Sequence, residues 1–301
     1  MSKDEPCPKA LTCFLTVVNS QPEERRARLV IESLRAFGGD LKDSPVWVFV
    51  PGAYLPEGLS ALQNVAVLPL EIGQPFGGYE LADKVFACAR AEELAGAQVR
   101  SLVWINLDCL IVNPPVLFAP HPACDAAFRP VHIRNVGSPA SEPPDGYWAA
   151  VYRATGVDEA SGTSESFVDR QVLRPYFNTH CFSIDPAMGI LRAWRANFMT
   201  LVADRKFQAD CCADELHRIF LHQVVLSALV TKRIERERIR MLPPEYSYPL
   251  HFQKQLDPSR RITQLDALVC AVYEEAGYLE GIEIREPLRS WLAAHRPDPI
   301  D

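Results

Sequence analysis

Apolar and polar positions alternate between two rhythms in the first third of the chain. Nearly continuous apolar runs occupy residues 11–18, 46–50, 65–70 and 101–107. Each is short and predicts a strand buried on both faces. Between them the spacing becomes helical. Ala27, Val30, Ile31, Leu34 and Phe37 mark one face of a helix that opens at Ser20 and stops at Gly38-Gly39. Ser20 with Glu23 is a capping-box pattern, and Pro22 is tolerated in a first turn. A second helix is predicted over 79–95, with Leu81, Val85 and Cys88 on one face and Gly96 as its stop.

Strands that alternate with helices pair in parallel through crossovers. The pattern predicts an α/β fold with a doubly wound, mostly parallel sheet. Ligands of such sheets bind beyond the carboxyl ends of the strands. That rim holds Val18-Asn19-Ser20 and Asn106-Leu107-Asp108.

The rhythm breaks after residue 130. Residues 130–166 are rich in Pro, Gly, Ser and Thr, with Tyr147, Trp148 and Tyr152 interleaved. They predict a long excursion with a short helix over 147–155. Its aromatic residues suit a lid that stacks on a ligand and orders when one binds. A strand is predicted at 176–184, with helices at 187–205 and 213–230. Residues 241–252 look irregular, 264–276 fit a strand or a helix, and a surface helix runs through His295. With no linker and no internal repeat, the prediction is one domain over 1–301 with a mixed C-terminal part.

Composition narrows the class. Hydrophobic residues are 48% and charged residues 23% of the 301, so the chain can build a core. A net charge of −7 disfavours a general nucleic-acid binder. The 9 cysteines include no C-x-x-C pair, and several lie inside apolar runs, which fits free thiols in a reducing cytoplasm. Residues 1–9 contain no apolar signal core, and no apolar run reaches the roughly 18 residues of a membrane span.

The sharpest chemical feature is the segment from Val103 to Val112, VWINLDCLIV. Asp108 emerges at the carboxyl end of an apolar strand, and a buried unpaired carboxylate is costly. Asp108 therefore either caps the following turn or binds a metal or a phosphate-sugar ligand. Spacing alone weighs these about equally.

That segment resembles the W-L-D-x-D-T-I-V stretch of glycosyltransferases with the GT-A fold. The likeness is greatest to the retaining class that includes glycogenin and bacterial galactosyltransferases. There, two carboxylates bind a divalent cation that clamps the diphosphate of a nucleotide sugar. Asn106 and Asp108 take the two positions, so the first acid is an amide here. Lys84, within LADKVFA, resembles the family's basic residue facing the donor phosphates; by itself it reads better as a solvated helix lysine. Tyr176 to Phe182, YFNTHCF, is similar to a segment lining the sugar pocket, with His180 where glycine is usual. His222-Gln223 resembles an acid-Gln pair, with histidine for the acid. Leu242 to His251 resembles the L-P-x-x-Y-N stretch that precedes a metal-binding histidine. The alternatives for His180 and His222 are satisfied core histidines.

The resemblance covers about four-fifths of the chain, and its implications are specific. The fold would be a single GT-A-like domain. Residues 10–128 would form the nucleotide-binding half, 129–252 the acceptor and sugar half, and 253–301 a C-terminal extension. The activity would be that of a hexosyltransferase, moving a sugar from a nucleotide diphosphate sugar, a uridine one, to an unknown hydroxyl acceptor. Thr16, Val18 and Asn19 would meet the base and ribose, with Asn106, Leu107, Asp108 and Lys84 at the diphosphate. Mn²⁺ or Mg²⁺ would be held by Asp108, His251 and Asn106, weakly because Asn106 brings no charge. Asn178 and Gln223 would line the transferred sugar. The competing implication is a catalytically decayed nucleotide-sugar-binding protein on the same fold.

Overall fold

The computed structural model describes residues 10–158, 162–273 and 281–295. Its main layer is a seven-stranded sheet. β1 (Leu11–Val17) pairs in parallel with β2 (Val46–Pro51), and β2 with β3 (Val65–Leu70). On its other side β1 pairs in parallel with β4 (Val99–Ile105). The chain thus runs outward from β1 to β3, then returns across β1 to lay down β4. This is the doubly wound order that the sequence predicts, and it makes a topological switch point between β1 and β4.

Helix α1 (Gln21–Phe37) joins β1 to β2. The Ser20 hydroxyl accepts from Glu23 N at 3.4 Å, and the Glu23 carboxylate accepts Asn19 N at 2.6 Å. Gly38 closes the helix by donating its N–H to Leu34 O, and a Cβ there would stand 2.3 Å from that oxygen. Helix α2 (Ala82–Leu94) joins β3 to β4 and starts later than the predicted 79. Leu81, at φ 58°, sits in the left-handed region and breaks the helical path.

Beyond β4 the sheet continues through shorter strands. After β5 (Cys109–Ile111) and β6 (Ala126–Phe128), the chain forms α3 (Gly146–Thr155) and the small β7 (Ser164–Glu165) and β8 (Val172–Leu173) hairpin. β9 (Cys181–Ile184) then inserts antiparallel between β4 and β6. Helices α4 (Ile190–Ala203), α5 (Arg205–Cys211) and α6 (Glu215–Arg233) follow, and β10 (Ile239–Met241) completes the sheet beside β6. The buried Glu92 of α2 accepts from Leu191 N at 3.0 Å and Arg192 N at 2.9 Å, capping α4 with a carboxylate and tying the two helices.

Three sequence expectations are corrected. The strand expected over 176–184 shortens to Cys181–Ile184, because Asn178 takes the chain out of the ladder. Its N–H bonds Arg129 O, and its side-chain oxygen accepts His180 N at 2.8 Å. The region 241–252 is more regular than its prolines suggest: β11 (Tyr246–Pro249), β12 (Cys270–Val272) and β5 form a second sheet. β12 is also the strand option for 264–276, of which residues 274–276 lie outside the described residues. Finally, the aromatic residues of 130–166 do not face outward. Tyr147, Trp148 and Tyr152 are buried in the main core. Trp148 Nε1–H donates to Val136 O at 2.6 Å, and Tyr147 O–H to His217 O at 2.9 Å. Apolar ring area won over ligand stacking.

The C-terminal part packs back on the domain. Leu265, Leu268 and, from α7 (Leu288–His295), Leu288 and Leu292 share a core with Leu29, Leu110 and Tyr248. No helix among the described residues is long and apolar enough to cross a membrane.

Candidate functional site

A cleft of about 310 Å³ opens at the switch point. Its walls come from the ends of β1 and β4 and the first turns of α1 and α2. Thr16, Asn19, Arg26, Leu81, Lys84 and Trp104 line it, together with Asn106, Leu107 and Asp108. Its volume is at the lower end of the roughly 300–1,000 Å³ of small-molecule sites. A larger depression, about 360 Å³, lies between α1 and Tyr54. Two of its charged groups, Glu24 and Arg28, are engaged within the protein. Glu24 accepts from Tyr54 O–H at 2.5 Å and Gly58 N at 2.9 Å, and Arg28 donates to Gly58 O at 3.0 Å. The smaller cleft has the chemistry.

Asn106 leaves β4 with its N–H bonded to His180 O at 2.8 Å, and its own carbonyl accepts Cys109 N at 3.3 Å. This turn swings Asp108 to the mouth of the cleft. Tyr273 fixes the turn from outside: its N–H bonds Asp108 O at 2.9 Å and its O–H bonds Leu107 O at 3.2 Å. The Asn106 side-chain oxygen accepts from Trp104 Nε1 at 2.7 Å. Indole is a donor only, so this atom is oxygen, and one of its two lone pairs is taken.

Lys84 projects from α2 beneath the turn. It is 4% exposed, its Nζ donates to Thr179 O at 3.2 Å, and it lies 5.2 Å from the centre of the Trp104 ring. Burial lowers its pKa, and the nearby Asp108 pulls it back up. It is not the solvated helix lysine of the alternative reading. Thr16 is 1% exposed, and its hydroxyl has no partner among the described residues. A buried hydroxyl without a bond is unfavourable by about 1–3 kcal/mol, unless something that enters the cleft supplies one. Asn19 is exposed at the rim and donates its amide N–H to Asp83 Oδ2 at 3.0 Å. Its side-chain oxygen can accept a further bond. Val18 does not line the cleft. Its side chain is buried on the α1 side of the sheet, and its N–H bonds Phe49 O.

The remaining candidates stand behind this wall. The Asn178 side-chain oxygen accepts both His180 N at 2.8 Å and His180 Nδ1 at 3.1 Å. That clamp aims His180 Nε2 at Asp108 Oδ2, 3.5 Å away. His180 also stacks on His132, with ring centres 5.3 Å apart. His251 packs on Phe252 and lies near His132, at 6.3 Å between ring centres. The His251 pKa is lowered to about 4, first by burial and then by the nearby His180, with Asp108 opposing. Gln223 is 4% exposed and sits with His222 behind Thr179. The Thr179 hydroxyl lies 3.0 Å from both His222 Nε2 and Gln223 Oε1, and His222 Nδ1–H donates to Ile219 O at 2.6 Å. Burial drives the His222 pKa well below its ordinary value.

Asp108 and His180 converge and His251 stands near, but no group of three His, Cys, Asp or Glu side chains among the described residues could hold a metal unaided. The donor set is oxygen and imidazole, which suits Mn²⁺ or Mg²⁺ only if a ligand brings further oxygens. Arg26, Leu81 and Trp104 are cleft residues that the motif reading passes over. Arg26 had one signal, a basic residue in the second turn of the helix that follows a rim strand.

No protein-family model matches the chain, and no curated protein does. Among solved structures it is similar to the apo form of the glycosyltransferase GlyE of Streptococcus pneumoniae TIGR4, with TM-score 0.51 and 12% identity. That match covers 97% of this chain and 61% of the other. It is also similar to the bifunctional glycosyltransferase WbbM in its apo form, with TM-score 0.50 and 11% identity. Here 90% of this chain and 47% of the other are covered, so the chain spans about half of that protein. A galactosyltransferase, LgtC, in complex with donor and acceptor sugar analogs matches at TM-score 0.49 and 12% identity, over 94% of this chain and 93% of the other. The first two likenesses establish the fold.

Proposed function

On a chain with the GT-A glycosyltransferase fold, we propose that the cleft binds a uridine diphosphate sugar and that the protein transfers its hexose to a hydroxyl acceptor. The observation that carries this reading is the meeting of Lys84, Asp108 and the unpartnered Thr16 hydroxyl in one cleft at the switch point. Asn19 offers its free oxygen to the imide N–H of the base, and the Thr16 hydroxyl meets a base or ribose oxygen. Lys84 and Arg26 face the diphosphate. Buried cations fixed before the reaction stabilise the charge that grows on a leaving diphosphate. Asp108, with His251 and the second lone pair of Asn106, would hold Mn²⁺ or Mg²⁺, which supplies Lewis-acid stabilisation of the same charge. Asn178 and Gln223 act at one remove, Asn178 by orienting His180 and Gln223 by bracing Thr179 beneath Lys84. All described cysteines are free, which fits a reducing, cytoplasmic setting.

The test is release of uridine diphosphate from a panel of uridine diphosphate hexoses with Mn²⁺, with and without simple glycoside acceptors. The expected result is turnover of at least one donor, lost in Asp108→Ala. Binding of the nucleotide without turnover of any donor would assign the protein as a decayed nucleotide-sugar binder, which the amide at Asn106 and the enclosed His222 favour. Absence of nucleotide binding would contradict both.

A further inference from the structure

Leu81 breaks two local rules where it lines the cleft. It is the N-cap of α2, a position that favours Ser, Thr, Asp, Asn or Gly, and its side chain makes no capping bond. Its backbone, at φ 58° and ψ 18°, lies in the left-handed region, which is unfavourable for a residue with a Cβ. Its side chain is 37% exposed, so burial in the core does little to offset that strain. A lone exposed leucine is ordinary; a strained one is not. The other described residues with a Cβ and a positive φ are Asn64, Asn135 and Arg170. Asparagine tolerates this region, and Arg170 stands in the turn between β7 and β8, paired with Glu165.

Asp83 explains where Leu81 stands. One oxygen of its carboxylate accepts Lys84 N at 2.7 Å, and the other accepts Asn19 Nδ2 at 3.0 Å. It thus satisfies a first-turn N–H, as Leu81 cannot, and ties the start of α2 to the end of β1. Leu81, two residues earlier, lines the cleft together with Thr16, Asn19 and Asp83. The Thr16 hydroxyl, 1% exposed and without a partner among the described residues, marks the same cleft as a place for a ligand. One apolar side chain among polar groups suits a flat ring whose face is apolar and whose edge is polar. We infer that Leu81 is the platform on which the pyrimidine of the nucleotide lies, with the edge of the base left to Thr16 and Asn19. A strained conformation persists at a binding site when it is what presents the side chain to the ligand. The inference rests on the proposed nucleotide site and deepens it.

The experiment uses the full chain with three substitutions, and uridine and uridine diphosphate as probes. Leu81→Gly and Leu81→Asn suit the left-handed backbone and remove the apolar side chain. Leu81→Met keeps an apolar side chain and the strain. Calorimetry reads the affinity for both probes, and thermal unfolding reads Tm. The expected result in Leu81→Gly and Leu81→Asn is a loss of about five- to tenfold, by the same factor for uridine and uridine diphosphate. Tm in both should equal or exceed that of the parent, because the strain is relieved. Leu81→Met should bind within about twofold of the parent. Unchanged affinity in Leu81→Gly and Leu81→Asn overturns the inference and leaves the nucleotide site standing. So does a loss for uridine diphosphate without a loss for uridine, which would put the effect on the phosphates. A fall in Tm in both variants also overturns it, because the leucine would then hold the fold. A parent protein that binds neither probe removes the nucleotide site and the inference with it.

Discussion

The cleft wall and the layer behind it hold similar residue types in opposite states. At the wall, Thr16 has a hydroxyl without a partner among the described residues, His180 Nε2 and Asp108 Oδ2 stand 3.5 Å apart, and Lys84 donates to one backbone oxygen. Behind it, His222 has both ring nitrogens engaged, by Ile219 O and by Thr179, and Gln223 shares the same hydroxyl. Both layers contain a histidine in a position where the GT-A resemblance leads one to look for chemistry. Of the two threonines in these layers, Thr16 has a hydroxyl without a partner among the described residues, while Thr179 is bonded to His222 and Gln223. In the cleft a buried group without a partner can be satisfied by a ligand, whereas His222, satisfied within the protein, holds the scaffold.

The largest effect that separates the two layers is on stability. His222→Ala removes a ring that is 2% exposed, together with its bonds to Ile219 O and the Thr179 hydroxyl. Cavity and lost bonds together should lower stability by about 3 kcal/mol. Urea unfolding checks this, and nucleotide affinity of the folded protein should change less than about threefold, within roughly 0.7 kcal/mol. A larger loss of affinity would move His222 into the wall.

Next is the wall's cation. Lys84→Met should weaken uridine diphosphate binding about 10- to 100-fold, roughly 1.4–2.7 kcal/mol, because charge-assisted contacts to the diphosphate are lost. Uridine affinity should be unchanged, and thermal stability kept, since removing a buried charge relieves its desolvation. Equal losses for uridine and its diphosphate would mean that Lys84 supports the cleft rather than the phosphates.

Acid should distinguish the protein as a whole from its unfolded chain. The His251 pKa is lowered from 6.5 to about 4, and those of His132, His180 and His222 are lowered too. These rings stay neutral in the fold, while the unfolded chain takes up protons below pH 6.5. Their contribution to stability is therefore full above about 6.5 and is lost as pH falls toward 4. Melting temperature should drop between pH 7.5 and pH 5. A flat profile would mean that these rings protonate in place.

The smallest effect is at Thr16. Thr16→Val should leave stability unchanged or slightly raised, as the hydroxyl has no partner within the protein. Nucleotide affinity should fall about fivefold, roughly 1 kcal/mol. Loss of stability without loss of affinity would give the hydroxyl a structural role.

What the sequence revealed follows physical lines. The strands β1, β2 and β4 and helix α1 were legible because both faces of these strands are largely buried and the helix carries its own cap at Ser20 and its own stop at Gly38, whereas β3, at the sheet edge, is only partly buried despite its apolar run. The antiparallel β9 and the second sheet were not. Their strands are short, and pairing of Cys181–Ile184 or Cys270–Val272 depends on partners far along the chain. In 130–166 the rings of Tyr147 and Trp148 gave no local sign of the core they enter. At the site, Asp108 and Lys84 were legible as motif positions. The confrontation of His180 with Asp108 was not, because it depends on the Asn178 clamp and on β9 lying against β4.

The most direct test of the cleft is a crystal structure of the protein grown with uridine diphosphate and Mn²⁺. The account predicts the diphosphate against Lys84, Arg26 and Asp108, with the pyrimidine near Thr16 and Asn19. Nucleotide in the depression between α1 and Tyr54, or an empty cleft at saturating nucleotide, would contradict it.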